Sequence, residues 1–188
     1  NIFAYIMKSF RDLLGGLTPN TAMQVVAGID IGSSSIEVLQ LEEQKGTLTL
    51  TTYGEIQLGP YAQKEVGQSV TLNAKQEQEA LVDVLRESAT VAKNAVFAMP
   101  LSSSFVTNTI VEADPKADIS ALVRVEARKV IPISLSEVTL DWAEMDLDED
   151  GKSKDGMKRE VLIAAIQNSA LERFKTLMQF AGLLVPPT

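Results

Sequence analysis

Apolar positions in the first 17 residues recur at helical spacing. Ile2, Phe3, Ile6, Phe10, Leu13, Leu14 and Leu17 share one face, with Lys8, Ser9, Arg11 and Asp12 opposite. Gly15-Gly16 stops this amphipathic helix, and Thr18-Pro19-Asn20 reads as a linker. Near residue 24 the period changes. Gln24 to Ile31 is almost continuously apolar, the pattern of a central strand covered on both faces. Gly32-Ser33-Ser34-Ser35 turns the chain into a second strand, Ile36 to Leu41. Glu43 to Gly46 turns it again into the Thr-rich run Thr47 to Ile56, whose β-branched residues favour a third. Asn73, with Gln76 three residues on, caps a helix whose buried stripe is Leu81, Val84 and Leu85. Ala95 to Met99 supplies a fourth short strand. Three strands, a helix and a strand in that order predict a ribonuclease-H-like unit over 24–100.

A second unit follows. Phe105 to Val111 reads as a strand, Asp118 caps a helix that runs through Val130 and is ended by Pro132, and Val138, Leu140 and Trp142 alternate along another strand. A charged hairpin over 146–159 leads to the apolar strand Glu160 to Ile166. Ser169 with Glu172 then forms a capping box for a helix with Phe174, Leu177, Met178 and Ala181 on one face, closed by Gly182. Grouped together, residues 101–182 form an inserted strand-helix-strand-strand unit with its trailing helix. Residues 183–188 begin the return to the first unit.

Composition narrows the chemistry. The 188 residues include 17 basic and 25 acidic side chains, so the net charge is −8 and the broad positive field that nucleic-acid backbones require is missing. The chain has no Cys and no His. Disulfides, thiolate nucleophiles, zinc sites of Cys or His, and Ser-His-Asp catalysis are thereby excluded. Absent cysteines suit a reducing cytoplasm, and no apolar run is long enough to span a bilayer. Asp146, Asp148, Asp150 and Gly151 copy the first half of an EF-hand loop, but the twelfth position is Met157 rather than Glu, and Lys152 and Lys154 sit inside it. That stretch reads as a solvated hairpin tip. Gly151-Lys152-Ser153 lacks the earlier glycine of a P-loop. Trp142 reads as core, and Glu126, Arg128 and Lys129 as a solvated helix face.

Most of the chemistry lies at Gly28 to Ser35. Backbone amides of a tight glycine turn converge on an anion, the hydroxyls of Ser33, Ser34 and Ser35 add donors, and a carboxylate at the end of a strand, Asp30, can hold Mg²⁺ through water. An ordinary hairpin also favours Gly and Ser in its turn, so spacing leaves both readings open.

Gly28-Ile29-Asp30-Ile31-Gly32-Ser33-Ser34-Ser35, continued through Ile36 to Leu41, resembles the first phosphate motif of the actin-like ATPases. More narrowly it resembles the PilM family of type IV pilus assembly proteins, relatives of the division protein FtsA and of a type II secretion platform subunit. Arg124 to Pro132 with Leu135 to Trp142 is similar to the helix and strand of that family's inserted subdomain, of SHS2 type. Val161 to Ala165, with the helix ending Gln179 to Leu183, is a third match, and together they span 25–185.

The resemblance implies an α/β (α+β) chain, the N-terminal half of an actin-like protein, with ATP and Mg²⁺ as cofactors. Asp30 would face Mg²⁺, and Gly32, Ser33, Ser34 and Ser35 the phosphates. No residue stands out to position an attacking water, so the chain is at most part of a weak ATPase. The resemblance further implies a cytoplasmic scaffold peripheral to the inner membrane. It would hold the N-terminal tail of a PilN-like membrane protein and meet other platform or motor proteins, with residues 2–17 as a further contact to a partner groove, a membrane surface or the protein itself. A division-ring or secretion-platform adaptor, and a nucleotide-free interaction module, are the alternatives.

Overall fold

The computed structural model describes residues 24–98, 101–114, 116–145 and 158–184. The helix expected over 2–17, and the hairpin tip at 146–157 with its EF-hand-like pattern, lie outside the described residues. Strands β1 (Gln24–Ile31), β2 (Ser35–Gln44) and β3 (Thr47–Gln57) form the predicted antiparallel meander. Helix α1 (Ala74–Glu87) crosses over to β4 (Asn94–Ala98), which pairs parallel with β1, giving the order β3-β2-β1-β4. The capping box forms as expected: the Gln76 amide donates to Asn73 Oδ1 and the Asn73 amide to Gln76 Oε1, both at 3.0 Å. Ala80, Leu81 and Val84 of α1 pack with Ala27, Ile29, Ile31, Ile36 and Val38 of the sheet. Buried Gln40 is engaged at both ends of its side-chain amide. Its Oε1 accepts from the amides of Val91 and Ala92 at 2.8 Å and its Nε2 donates to Thr51, tying the β-bulge of β2 to the loop before β4.

The second unit is a three-stranded antiparallel sheet of β5 (Ser104–Glu112), β6 (Val138–Glu144) and β7 (Lys158–Gln167), ordered β5-β7-β6, with helix α2 (Ser120–Val130) on one face. The strand-helix-strand-strand order is the predicted one. This sheet has its own core around Val111, Ile119, Val123, Ala127, Val161 and Ile163, with Trp142 packed half-buried at its margin. Two start signals work differently from expectation. Asp118 accepts the Ser120 amide at 2.9 Å one residue ahead of Ile119, whose carbonyl opens the helix. The Ser169–Glu172 capping box does not form. Strand β7 runs without a break into α3 (Asn168–Phe180), so Ser169 is already inside the helix and Glu172 pairs instead with Lys175 at 3.1 Å.

Helix α3 packs elsewhere than the sequence grouping suggests. Its Phe174, Leu177 and Met178 lie in the core of the first sheet, and the Phe174 ring is 5.6 Å from that of Phe97 on β4. Across the α1–α3 contact the Arg173 guanidinium holds buried Glu77 by two bonds, of 2.6 and 3.3 Å. Beyond Gly182 the chain rejoins the sheet. Leu184 bridges in parallel to Asn94, exchanging backbone bonds of 2.8 and 2.7 Å with Ala95 and Lys93. The three-stranded sheet is therefore inserted between two segments that belong to the first core.

The connection from β3 to α1 wraps the tip of the β1–β2 hairpin. It opens with a 3₁₀ turn at Gly59–Ala62, after which the Lys64 amide returns to the Gly59 carbonyl at 2.8 Å. Tyr61 staples this loop to α1: its hydroxyl donates to Asp83 at 2.6 Å, and its carbonyl accepts from the Gln76 side chain at 2.8 Å. Burial, and then the bond to Asp83, raise the Tyr61 phenol above its ordinary value of 10.0.

Two predictions follow from this loop. A Cβ at Gly59 would collide with the Glu65 carbonyl oxygen, a backbone atom with no side-chain freedom to move aside. Gly59→Ala is expected to cost about 1–3 kcal/mol, the usual penalty for overpacking, read as a lower urea midpoint at unchanged slope. The Tyr61 phenol is protonated more firmly in the folded than in the unfolded chain. Its contribution is therefore complete below the unfolded value of 10.0 and is lost as pH rises above it. Urea midpoints of the protein and of Tyr61→Phe should differ at pH 8 by a stability of about 1 kcal/mol and converge towards pH 11.

Candidate functional site

The tip of the β1–β2 hairpin is built by an apolar strand that must stop and reverse within four residues. Ile31 and Ile36 are the last cross-strand partners, and the Gly32 amide closes the turn on the Ser35 carbonyl at 2.9 Å. A Cβ at Gly32 would sit 3.2 Å from that same carbonyl, so glycine suits the reversal.

The loop after β3 then fixes which way the turn's polar groups face. The Leu58 amide donates to the Ser34 carbonyl and the Val70 amide to the Ser33 carbonyl, each at 2.8 Å. Both carbonyls are thus occupied by protein donors. The amides of Ser33 and Ser34 have no acceptor among the described residues. Ser33 is exposed and its hydroxyl lies 3.0 Å from that of Ser69; Ser34 is half-exposed. A turn with its carbonyls tied inward and neighbouring amides left free is the arrangement that receives an anion.

Of the predicted site residues, the hairpin brings Asp30, Gly32, Ser33 and Ser34 together at its exposed end. Ser35 is set apart: it opens β2, is buried, and its hydroxyl donates to the Glu37 carboxylate. Asp30 and Glu37 are direct cross-strand partners, both exposed on the face of the sheet away from α1. Among the described residues no group of three or more His, Cys, Asp or Glu is placed to hold a metal ion. A cation here would rest on Asp30 with water completing its shell, which suits Mg²⁺, an ion that keeps several of its waters. The residues present fit a phosphate–Mg²⁺ group, with amides for the phosphate and a carboxylate for the metal.

Sequence reasoning missed the part played by residues 58–70, Ser69 included. A signal was present in the long stretch between Ile56 and Asn73, with Gly59-Pro60 and Gly67 but no periodicity, since long irregular connections in compact domains are commonly functional.

Among the described residues no helix is long and apolar enough to cross a membrane. Comparison with solved structures places the fold. A chain of the PilM–PilN type IV pilus biogenesis complex superposes with a TM-score of 0.67 at 20% sequence identity, over 86% of this chain and 46% of that one. The cytoplasmic domain of EpsL, an inner-membrane component of the type II secretion system of Vibrio cholerae, gives a TM-score of 0.50 at 12% identity. That match covers 87% of this chain and 56% of the EpsL chain. The chain thus spans about half the length of the solved chains it matches, and the fold is the actin-like one. The family of type IV pilus assembly protein PilM matches residues 28–186, from the middle of β1 through both sheets and past the rejoining Leu184. A match that runs through the glycine-serine hairpin, the inserted sheet and the return to the first core makes this chain a member of that family.

Proposed function

We propose that the chain forms the nucleotide-facing half of an actin-like scaffold in type IV pilus assembly, acting through binding and shape rather than rapid turnover. One observation carries the reading: the hairpin tip, whose carbonyls are tied inward by residues 58–70 while the amides of Ser33 and Ser34 have no acceptor among the described residues. In this reading those amides and the Ser34 hydroxyl bind phosphate oxygens of ATP, and Asp30 holds Mg²⁺ through water. Ser35 serves differently, bracing Glu37 beside Asp30. Bound ATP supplies charge and a bridge to the remainder of an actin-like clamp. This chain's own residues contribute orientation of the phosphates.

The partner in this reading is the short N-terminal tail of a PilN-like inner-membrane protein, bound between the four-stranded and three-stranded units, with other platform or motor proteins beyond it. Membership of the PilM family and likeness to a chain of a PilM–PilN complex support it. The protein would then be cytoplasmic and peripheral to the inner membrane. A disordered tail loses conformational freedom on binding, so its affinity is carried by a few apolar anchors rather than by the acidic surface.

Titration calorimetry of the whole gene product with ATP and Mg²⁺ tests the nucleotide half. Asp30→Ala should lower the Mg²⁺-dependent affinity by about tenfold or more, the weight of one charge-assisted contact, and leave the unfolding curve in place. Unchanged affinity would remove Asp30 from the site. For the partner half, fluorescence anisotropy with a labelled PilN-like tail peptide should show binding that changes little between low and physiological salt. Binding that vanishes over that range would replace the apolar account with an electrostatic one.

A further inference from the structure

Among the described residues, helices cover the four-stranded sheet on one face only. Both α1 and α3 contribute their buried residues to the side of Ala27, Ile29, Ile36, Val38 and Ala95. Strand β1 nevertheless has the near-continuous apolar pattern of a strand covered on both sides. On the open face, register groups Leu39 and Leu41 of β2 with Leu50 and Tyr53 of β3 and with Val96 of β4. Leu39, Leu50 and Tyr53 are 42%, 53% and 75% exposed, so contiguous apolar area faces outward. The field is confined to one part of the face, for at the hairpin-tip end the cross-strand row is Asp30, Glu37 and Glu55, all exposed.

We infer that residues 2–17 of this same chain fold back as an amphipathic helix over the Leu39–Leu50–Tyr53 field. The occupant is argued from position, length and charge. The segment enters the sheet at Gln24, at the end of β1 where Glu43 is its partner and away from the acidic row. Leu39 pairs with Gly28, four residues along β1, or about 13 Å at the usual rise, and Tyr53 lies two strands across, about 10 Å. Residues 18–23 reach about 20 Å when extended. The tether therefore covers the distance with slack. A helix over 2–17 is about 24 Å long, enough to lie across the sheet, and its seven apolar side chains on one stripe meet a surface of the same character.

Charge agrees. Residues 1–23 contain Lys8 and Arg11 against Asp12, whereas the rest of the chain has 15 basic residues against 24 acidic. A single net positive charge is weak recruitment to an anionic membrane, which generally takes a second signal. Tethering to a face of the same chain gives the helix a high effective concentration there without one.

The chain has no cysteine, so introduced pairs report cleanly. In this 188-residue chain, Phe10→Cys with Tyr53→Cys should join through a short bis-maleimide at monomer mass, while Lys8→Cys with Tyr53→Cys, using the opposite side of the helix, should join several-fold less. Deleting residues 1–17 should also raise the fluorescence of an added apolar dye several-fold, and Leu39→Asp with Leu50→Asp in the deleted protein should reverse that rise. Cross-linking seen only at dimer mass and growing with concentration would overturn the inference in favour of a second copy. Absence of any cross-link, with vesicle co-sedimentation that depends on residues 1–17, would overturn it in favour of a membrane. Dye fluorescence unaffected by the deletion would overturn it outright.

Discussion

The architecture depends on where α3 is buried. A helix that follows the second sheet in sequence places Phe174, Leu177 and Met178 in the core of the first. Each fully buried side chain of this size contributes roughly 1.5–3 kcal/mol, so together they approach the net stability of an ordinary domain. The inserted sheet is consequently held at both ends: through β4 and the 3₁₀ turn at 101–103 on the way out, and through α3 and Leu184 on the way back. Arg173 adds direction to this anchor. Its bonds to buried Glu77 satisfy a carboxylate that would otherwise be costly to leave in the α1–α3 contact, and its guanidinium lies 5.5 Å from the Phe174 ring.

The same first core also prepares the hairpin tip. Asn73 caps α1, its partner Gln76 reaches the Tyr61 carbonyl, Tyr61 bonds Asp83, and the loop they fix donates through Leu58 and Val70 to the two serine carbonyls. Each link is an ordinary hydrogen bond with a net value near 1 kcal/mol. Their joint effect is positional. Donors at a binding turn are most effective when no reorganisation is needed as the ligand arrives, and here the orientation of the turn is paid for by the packing of α1.

Much of this was legible in the sequence because local and global signals agree. The meander of β1 to β3, the Asn73–Gln76 box and the alternation of β6 all follow from short-range chemistry acting in the direction the fold requires. The failures have physical causes. The Ser169–Glu172 spacing is a start signal only where a chain enters a helix from a loop, and β7 enters α3 directly. An apolar stripe such as Phe174, Leu177 and Met178 announces that a face is buried without naming the surface that buries it, so α3 was grouped with its sequence neighbours. The buried position of Ser35 was equally hidden: a run of three serines looks uniform, yet Ser33 and Ser34 make up the exposed turn while Ser35 is already the first residue of β2.

If the tip receives an anion as proposed, the charges around it bear on which kind. Asp30 and Glu37 are opposed across β1 and β2, and Glu55 continues the row on β3. Like charges directly opposite on one sheet face are unfavourable, and the chain's net charge of −8 adds to the negative potential. A bare polyphosphate approaching the Ser33 and Ser34 amides therefore meets donors that attract it and carboxylates that repel it. The amides are short-range and the carboxylates act further out, so a free anion is opposed before it is bound. In the proposed reading, a divalent cation held by Asp30 beside the phosphate would offset the repulsive outer contribution and leave the inner one intact. Under the proposed nucleotide reading, a strand-end carboxylate followed by a glycine-serine turn would favour a metal-complexed phosphate over a free one, through the antiparallel register of β1 and β2 that sets Glu37 opposite Asp30.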